Sequence, residues 1–140
     1  MKTMARLPAL AAALIIPAIP MAPALADESA ESAAVWQRHV ARATAGDLNA
    51  VMEDFAEDSV VITATGVVAG KAAIRTFFKD FLAGFDKAAI ESMVVNTKTI
   101  HDDVVVFNFT VGTAQRTFQD TAVIRDDHIK VLATVGYPAK

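Results

Sequence analysis

Apolar residues recur at helical spacing as far as Leu82, and from Glu91 onward they recur at every second position. Trp36, Val40 and Ala43 form one stripe of a first helix, with His39 at its edge. Gly46 fits the left-handed stop that ends a helix. Asp47 then fits the N-cap of a second helix, in which Leu48, Val51, Met52 and Phe55 repeat at helical spacing. Ser59 to Ala64 is short and rich in β-branched residues, which predicts a first strand. Gly66 and Gly70 bracket a loop, and a third helix is expected from about Lys71 to Gly84. Its Ile74, Phe77, Phe78, Phe81 and Leu82 share one wide apolar face, the pattern of a helix that faces a core.

The second half reads as strands. Glu91 to Ile100 is followed by a turn at Asp102-Asp103, and Val104 to Thr113 alternates Val105, Phe107, Phe109 and Val111 with Val106, Asn108 and Thr110. Gln115 to Arg125 and His128 to Val135 are joined by a tight turn at Asp126-Asp127. Helices followed by an antiparallel meander predict an α+β fold. The aromatic face of the third helix must be covered, so the sheet is expected to curl into a cone, mostly antiparallel, around three helices.

The N-terminus changes this picture. Lys2 and Arg6 precede an apolar run from Leu7 to Ile19, and Ala24-Leu25-Ala26 is a small-x-small site before Asp27. This is the pattern of a secretory signal peptide over residues 1–26. Pro8, Pro17, Pro20 and Pro23 would break a membrane-spanning helix there. Residues 27–140 are then one exported domain, periplasmic or secreted, with Asp27 to Ala33 as a frayed leader. The chain has no cysteine, which excludes a disulfide and a lipid-bearing cysteine. Without the leader, 11 Lys and Arg stand against 16 Asp and Glu, a net charge near −5. An acidic domain without a basic stripe is a poor nucleic-acid binder, and no later apolar run is long enough to span a membrane.

Five groups of residues carry a resemblance. They are Val35-x-Gln37-Arg38-His39-Val40; Ala45-Gly46-Asp47-Leu48; Phe55-Ala56-x-Asp58; and Gly70-x-Ala72-Ala73-Ile74-Arg75, with Phe107-x-Phe109-Thr110-Val111 further on. In that order they resemble the SnoaL-like and ketosteroid-isomerase-like domains of the nuclear transport factor 2-like superfamily. The resemblance implies a curled sheet around helices with a pocket inside, and covers nearly all of residues 27–140. It places the family's oxyanion-holding tyrosine on His39, its protonated aspartic acid on Asp120, and its general base on Thr63. Ketosteroid isomerase is itself a worked case of a carboxylic acid kept neutral by apolar surroundings. A threonine hydroxyl cannot abstract a carbon acid's proton at neutral pH, so the resemblance stops short of steroid isomerase chemistry.

The alternation itself singles out Asp120. It shares a strand face with Phe118, Ala122 and Ile124, where desolvation favours the neutral carboxyl. His39 is either a proton-transfer group or a helix histidine satisfied at the rim of the core. Asp120 and His39 are the candidate catalytic pair, and Thr63, Trp36, Asn108 and Phe78 are the candidates for contacting a ligand. His101 and His128 beside aspartate turns lack the spacing of a defined metal site, and neither a metal nor a cofactor is expected. The leading expectation is an apolar pocket that binds a small hydrophobic molecule. An isomerase, cyclase or dehydratase using Asp120 and His39 is the alternative, and a dimeric interaction module is a third. A homodimer is expected through the outer face of the sheet, near Val104 and Val106.

Overall fold

The computed structural model of the chain describes residues 24–112 and 115–137. The expected leader up to residue 23 and the expected strand end at Thr113 lie outside the described residues. The elements are α1 (Ala24–Thr44), α2 (Leu48–Glu53), β1 (Phe55–Thr63), β2 (Gly66–Ala69), α3 (Lys71–Ala83), α4 (Lys87–Glu91), β3 (Val94–His101), β4 (Val104–Val111), β5 (Arg116–Arg125) and β6 (His128–Tyr137).

The strands form one six-stranded sheet in the order β2-β1-β6-β5-β4-β3. The β1–β6 pair is parallel, and the other four pairs are antiparallel. The β4–β5–β6 meander follows from its turns. Asp126 and Asp127 both take positive φ, at 53° and 59°, which a tight hairpin requires and aspartate tolerates. Register breaks bend three of the five pairings and help curl the sheet. At the one in β1, buried Ser59 accepts from Ala56 N–H at 2.9 Å and donates to the Ile129 carbonyl at 2.7 Å, tying β1 to β6.

The helices pack in the concavity. Val35 and Trp36 of α1, Val51 and Met52 of α2, and Ile74 and Phe78 of α3 meet Val105, Phe107, Ala122, Ile124, Ile129 and Leu132 of the sheet. Gly46 has φ of 70° and Asp47 Oδ1 accepts from Ala50 N–H at 3.0 Å, so the stop and the cap fall where the sequence puts them.

Four expectations about elements are corrected. Asp27 to Ala33 is helical rather than a frayed leader. Ser32 is buried, Ser29 Oγ accepts from Asp102 N–H at 3.0 Å, and Glu31 accepts from Asp127 N–H. Phe55 begins β1 rather than ending the second helix, because the chain turns at Asp54 to bring that ring into the core. The Gly66–Gly70 loop contains β2, whose pairing with β1 extends the sheet by one strand. A fourth helix, α4, follows α3 and is capped by Asp86, whose side chain accepts from Ala89 N–H at 2.8 Å.

Candidate functional site

Between the helices and the sheet lies a cavity of about 70 Å³. One water needs roughly 10–15 Å³ of such space, so there is room for several waters or a small organic group. Its wall is almost entirely apolar: Phe77, Phe78, Phe81 and Leu82 from α3, and Phe107, Phe109 and Val111 from β4. Phe85, Ile90 and Met93, around α4, line it as well. Helical spacing on α3 and alternation on β4 put these side chains on facing surfaces, so the aromatic stripe is both core and wall.

Polar groups are few. Asp120 reaches the cavity from β5, with Thr134 as its direct partner on β6. The residue is half-buried, but its Oδ1 is sealed from solvent and has no hydrogen-bond partner among the described residues. Burial pushes the carboxyl up to about 6, against smaller opposing effects from the Thr134 hydroxyl and the charge of His39. Trp36 also lines the cavity, and its Nε1 is a buried donor with no partner among the described residues.

His39 lines the same cavity and is only 4 % exposed. Its ring packs against Trp36, Phe55 and Phe78 with centroids 5.4–5.7 Å apart. It makes no hydrogen bond to Asp120. Its Nδ1 lies 3.3 Å from Oδ2 of Asp54 instead.

Asp54 is a residue the sequence reading missed. It is fully buried at the turn between α2 and β1. Its Oδ1 accepts from Arg38 Nε at 2.8 Å and from Arg42 Nη1 at 2.7 Å. Burial alone would raise this carboxyl. Hydrogen bonds from His39 and Arg38, with the charges of His39 and Arg42, outweigh that and hold it below its ordinary value. A partial signal lay in the first helix, where Arg38, His39 and Arg42 lie on adjacent turns of one face and call for an anionic partner, but Glu53 and Asp54 stand side by side and no spacing chooses between them.

Among the residues expected to contact a ligand, Trp36 and Phe78 line the cavity, while Thr63 and Asn108 do not reach it. Thr63 shares the strand face of buried Val61 but is the last residue of β1. Its hydroxyl is used in the β1–β2 hairpin, 3.1 Å from the Gly66 carbonyl and 3.1 Å from Thr65 Oγ1. Asn108 sits between the inward Phe107 and Phe109, so its side chain is on the outer face, where it accepts from Asn96 Nδ2 at 2.8 Å. Among the described residues, no group of three or more His, Cys, Asp and Glu could hold a metal ion.

The pattern of the SnoaL-like domain matches residues 36–132. The chain belongs to the SnoaL-like domain family. Solved structures place it in the nuclear transport factor 2-like fold. It is similar to an NTF2-like protein of unknown function from Mesorhizobium loti at 15% identity and a TM-score of 0.66, covering 79% of this chain and 94% of that one. A candidate isomerase from Bacillus subtilis matches at 19% identity and a TM-score of 0.63, over 79% and 89%. A candidate polyketide cyclase from Sinorhizobium meliloti matches at 23% identity and a TM-score of 0.58, over 72% and 93%. At such identities the likeness is one of fold. No curated protein matches the sequence significantly.

Proposed function

We propose that this SnoaL-like domain binds a small apolar molecule in the cone, with a polar group of the ligand meeting Asp120. The observation that carries the reading is the buried, unpartnered Asp120 Oδ1 in an otherwise apolar cavity. A buried polar atom without a partner costs about 1–3 kcal/mol, a cost a bound ligand relieves. The aromatic wall favours a flat ring system over a flexible chain. The separation of His39 from Asp120 by hydrogen bonding favours binding over a shared proton-transfer site.

Native mass spectrometry of the protein purified from its own host tests this. A small molecule released on denaturation, and lost in an Asp120→Leu variant that still folds, is the expected result. Absence of any bound mass, with no response of cavity resonances to toluene or phenol, would count against it.

A second reading has support in the chemistry of Asp120. A carboxyl poised at about 6 is suited to proton transfer, and similar folds include a candidate isomerase and a candidate polyketide cyclase. On that reading Asp120 and His39 exchange protons with the ligand without a cofactor. Asp120→Asn would then lower the rate roughly 10²–10⁴-fold while leaving affinity largely intact.

The same proposal includes export with cleavage after Ala26. That cut would remove less than one turn of α1 and leave Ser32, Val35 and Trp36 in place. N-terminal sequencing of the protein from its host checks it, and a chain still beginning at Met1 would refute it. Pairing of two copies through the outer sheet face is proposed on the half-buried Val104 and Val106 there. Sedimentation that finds only monomer at high micromolar concentration would rule it out.

A further inference from the structure

The buried Asp54 does not line the cavity, yet it touches His39 of the cavity wall. Its two oxygens have different partners. Oδ1 takes both guanidinium groups, of Arg38 and Arg42, at 2.8 and 2.7 Å. Oδ2 is left facing His39 Nδ1 at 3.3 Å. A carboxylate held by two guanidinium groups accepts hydrogen bonds and does not donate them. The proton between Asp54 and His39 must therefore sit on Nδ1. In a neutral imidazole the other nitrogen, Nε2, then carries the lone pair. Nε2 has no hydrogen-bond partner among the described residues, and the ring stands in the cavity wall.

We propose that Asp54 is a positioning residue that fixes His39 as its Nδ1–H tautomer, and that the cavity, with acceptors at His39 Nε2 and Asp120 Oδ1, takes a small aromatic molecule bearing two hydroxyl groups. The proposal rests on the cavity being a ligand site. It adds the hydrogen-bonding character of that ligand: donors are wanted at two points. Trp36 Nε1 is an unpartnered donor on the wall among the described residues, and a hydroxyl oxygen accepts from it while its own proton goes to an acceptor. A ring fits beside Phe77, Phe78, Phe81, Phe107 and Phe109, which line the cavity.

The test has two parts, both at pH 7.5. The first uses the protein without ligand. Nitrogen-15 NMR of the histidine side chains is expected to show His39 with Nδ1 protonated and Nε2 bare. Protonation at Nε2, whether in the other tautomer or in an imidazolium, would overturn the proposal. In Asp54→Asn, which offers Nδ1 a neutral partner, His39 is expected to become a mixture of tautomers; an unchanged tautomer there would also overturn the positioning role. If that variant does not fold, the wild-type spectrum still decides.

The second part adds toluene, phenol, catechol and resorcinol. The two diols offer different spacings of their hydroxyls. One of them is expected to bind about tenfold more tightly than phenol, the value of one added hydrogen bond, and to move the His39 Nε2 resonance. Toluene binding with no advantage for either diol would leave the cavity as a ligand site and overturn the diol assignment. Failure of all four to bind would overturn both.

Discussion

Asp120 on β5 and Thr134 on β6 are direct cross-strand partners, and both face the cavity. That pairing places a carboxyl where water is scarce and gives it one weak neighbour. The consequence is a stability that depends on pH. The folded carboxyl lies at about 6 against an ordinary 3.8, so between those values the folded protein holds a proton the unfolded chain has lost. Stability from this group is full below about 4 and falls as pH rises toward 6, by roughly 3 kcal/mol in all. Urea denaturation from pH 4 to 7 is expected to show that fall in the wild type and not in Asp120→Asn. Identical pH profiles for the two would place the carboxyl in water.

Asp54 works in the opposite direction. Its carboxyl is held below 3.8, so its contribution is present above that value and is lost as pH falls through the lowered one. Removing the side chain leaves Arg38, Arg42 and His39 facing a buried gap. Asp54→Ala is expected to lose ~3–5 kcal/mol at neutral pH, the usual result of stripping one partner from a buried charged network. A loss under about 1 kcal/mol would mean that the two arginines rearrange into solvent without penalty.

These two carboxylates mark where the sequence was legible and where it was not. Asp120 stands out because strand alternation alone assigns it to the face of Phe118 and Ala122. His39 stands out because helical spacing puts it beside the Trp36 stripe. Asp54 is invisible to either rule. Its partners lie 12 to 16 positions back on another helix, and its burial depends on the turn between α2 and β1. Thr63 fails for a related reason: parity gives the right face, but not the position at a strand end where the hydroxyl is spent on a hairpin. Asn108 fails on parity itself, since the inward Phe107 and Phe109 assign it outward. The elements β2 and α4 span four and five residues, too few for any period to declare itself.

Neighbouring phenylalanines on α3 should respond differently to truncation. Phe78 is 3 % exposed and packs against Phe55, His39, Phe77 and Phe81. Phe78→Ala is expected to cost ~3–5 kcal/mol. Phe77 is only half-buried on the cavity wall, so Phe77→Ala is expected to cost less and to enlarge the cavity. Denaturation of both variants, with toluene uptake followed by NMR, separates wall from core. Equal losses in the two would mean that the cavity is closed in solution.

Gly136 constrains Phe118, whose ring packs against Phe81, Phe85 and Phe109 of the cavity wall. Its backbone φ is ordinary, so no conformational freedom is being used. The constraint is steric: a Cβ there would stand 2.9 Å from Cε1 of Phe118, its cross-strand partner. Phe118 cannot easily yield. Its ring is held by Phe81, Phe85 and Phe109, with the Arg116 guanidinium 5.2 Å above it. Gly136→Ala is therefore expected to cost ~1–3 kcal/mol, as overpacking does. It should also displace Phe118 toward Phe85 in the cavity wall and slow ligand entry. Aromatic resonances of Phe85 that move in this variant, with a reduced on-rate for phenol, would bear this out. A Gly136→Ala variant as stable as the wild type, with those resonances unmoved, would mean that the β5–β6 pair relaxes at its end and that Phe118 does not buttress the cavity wall.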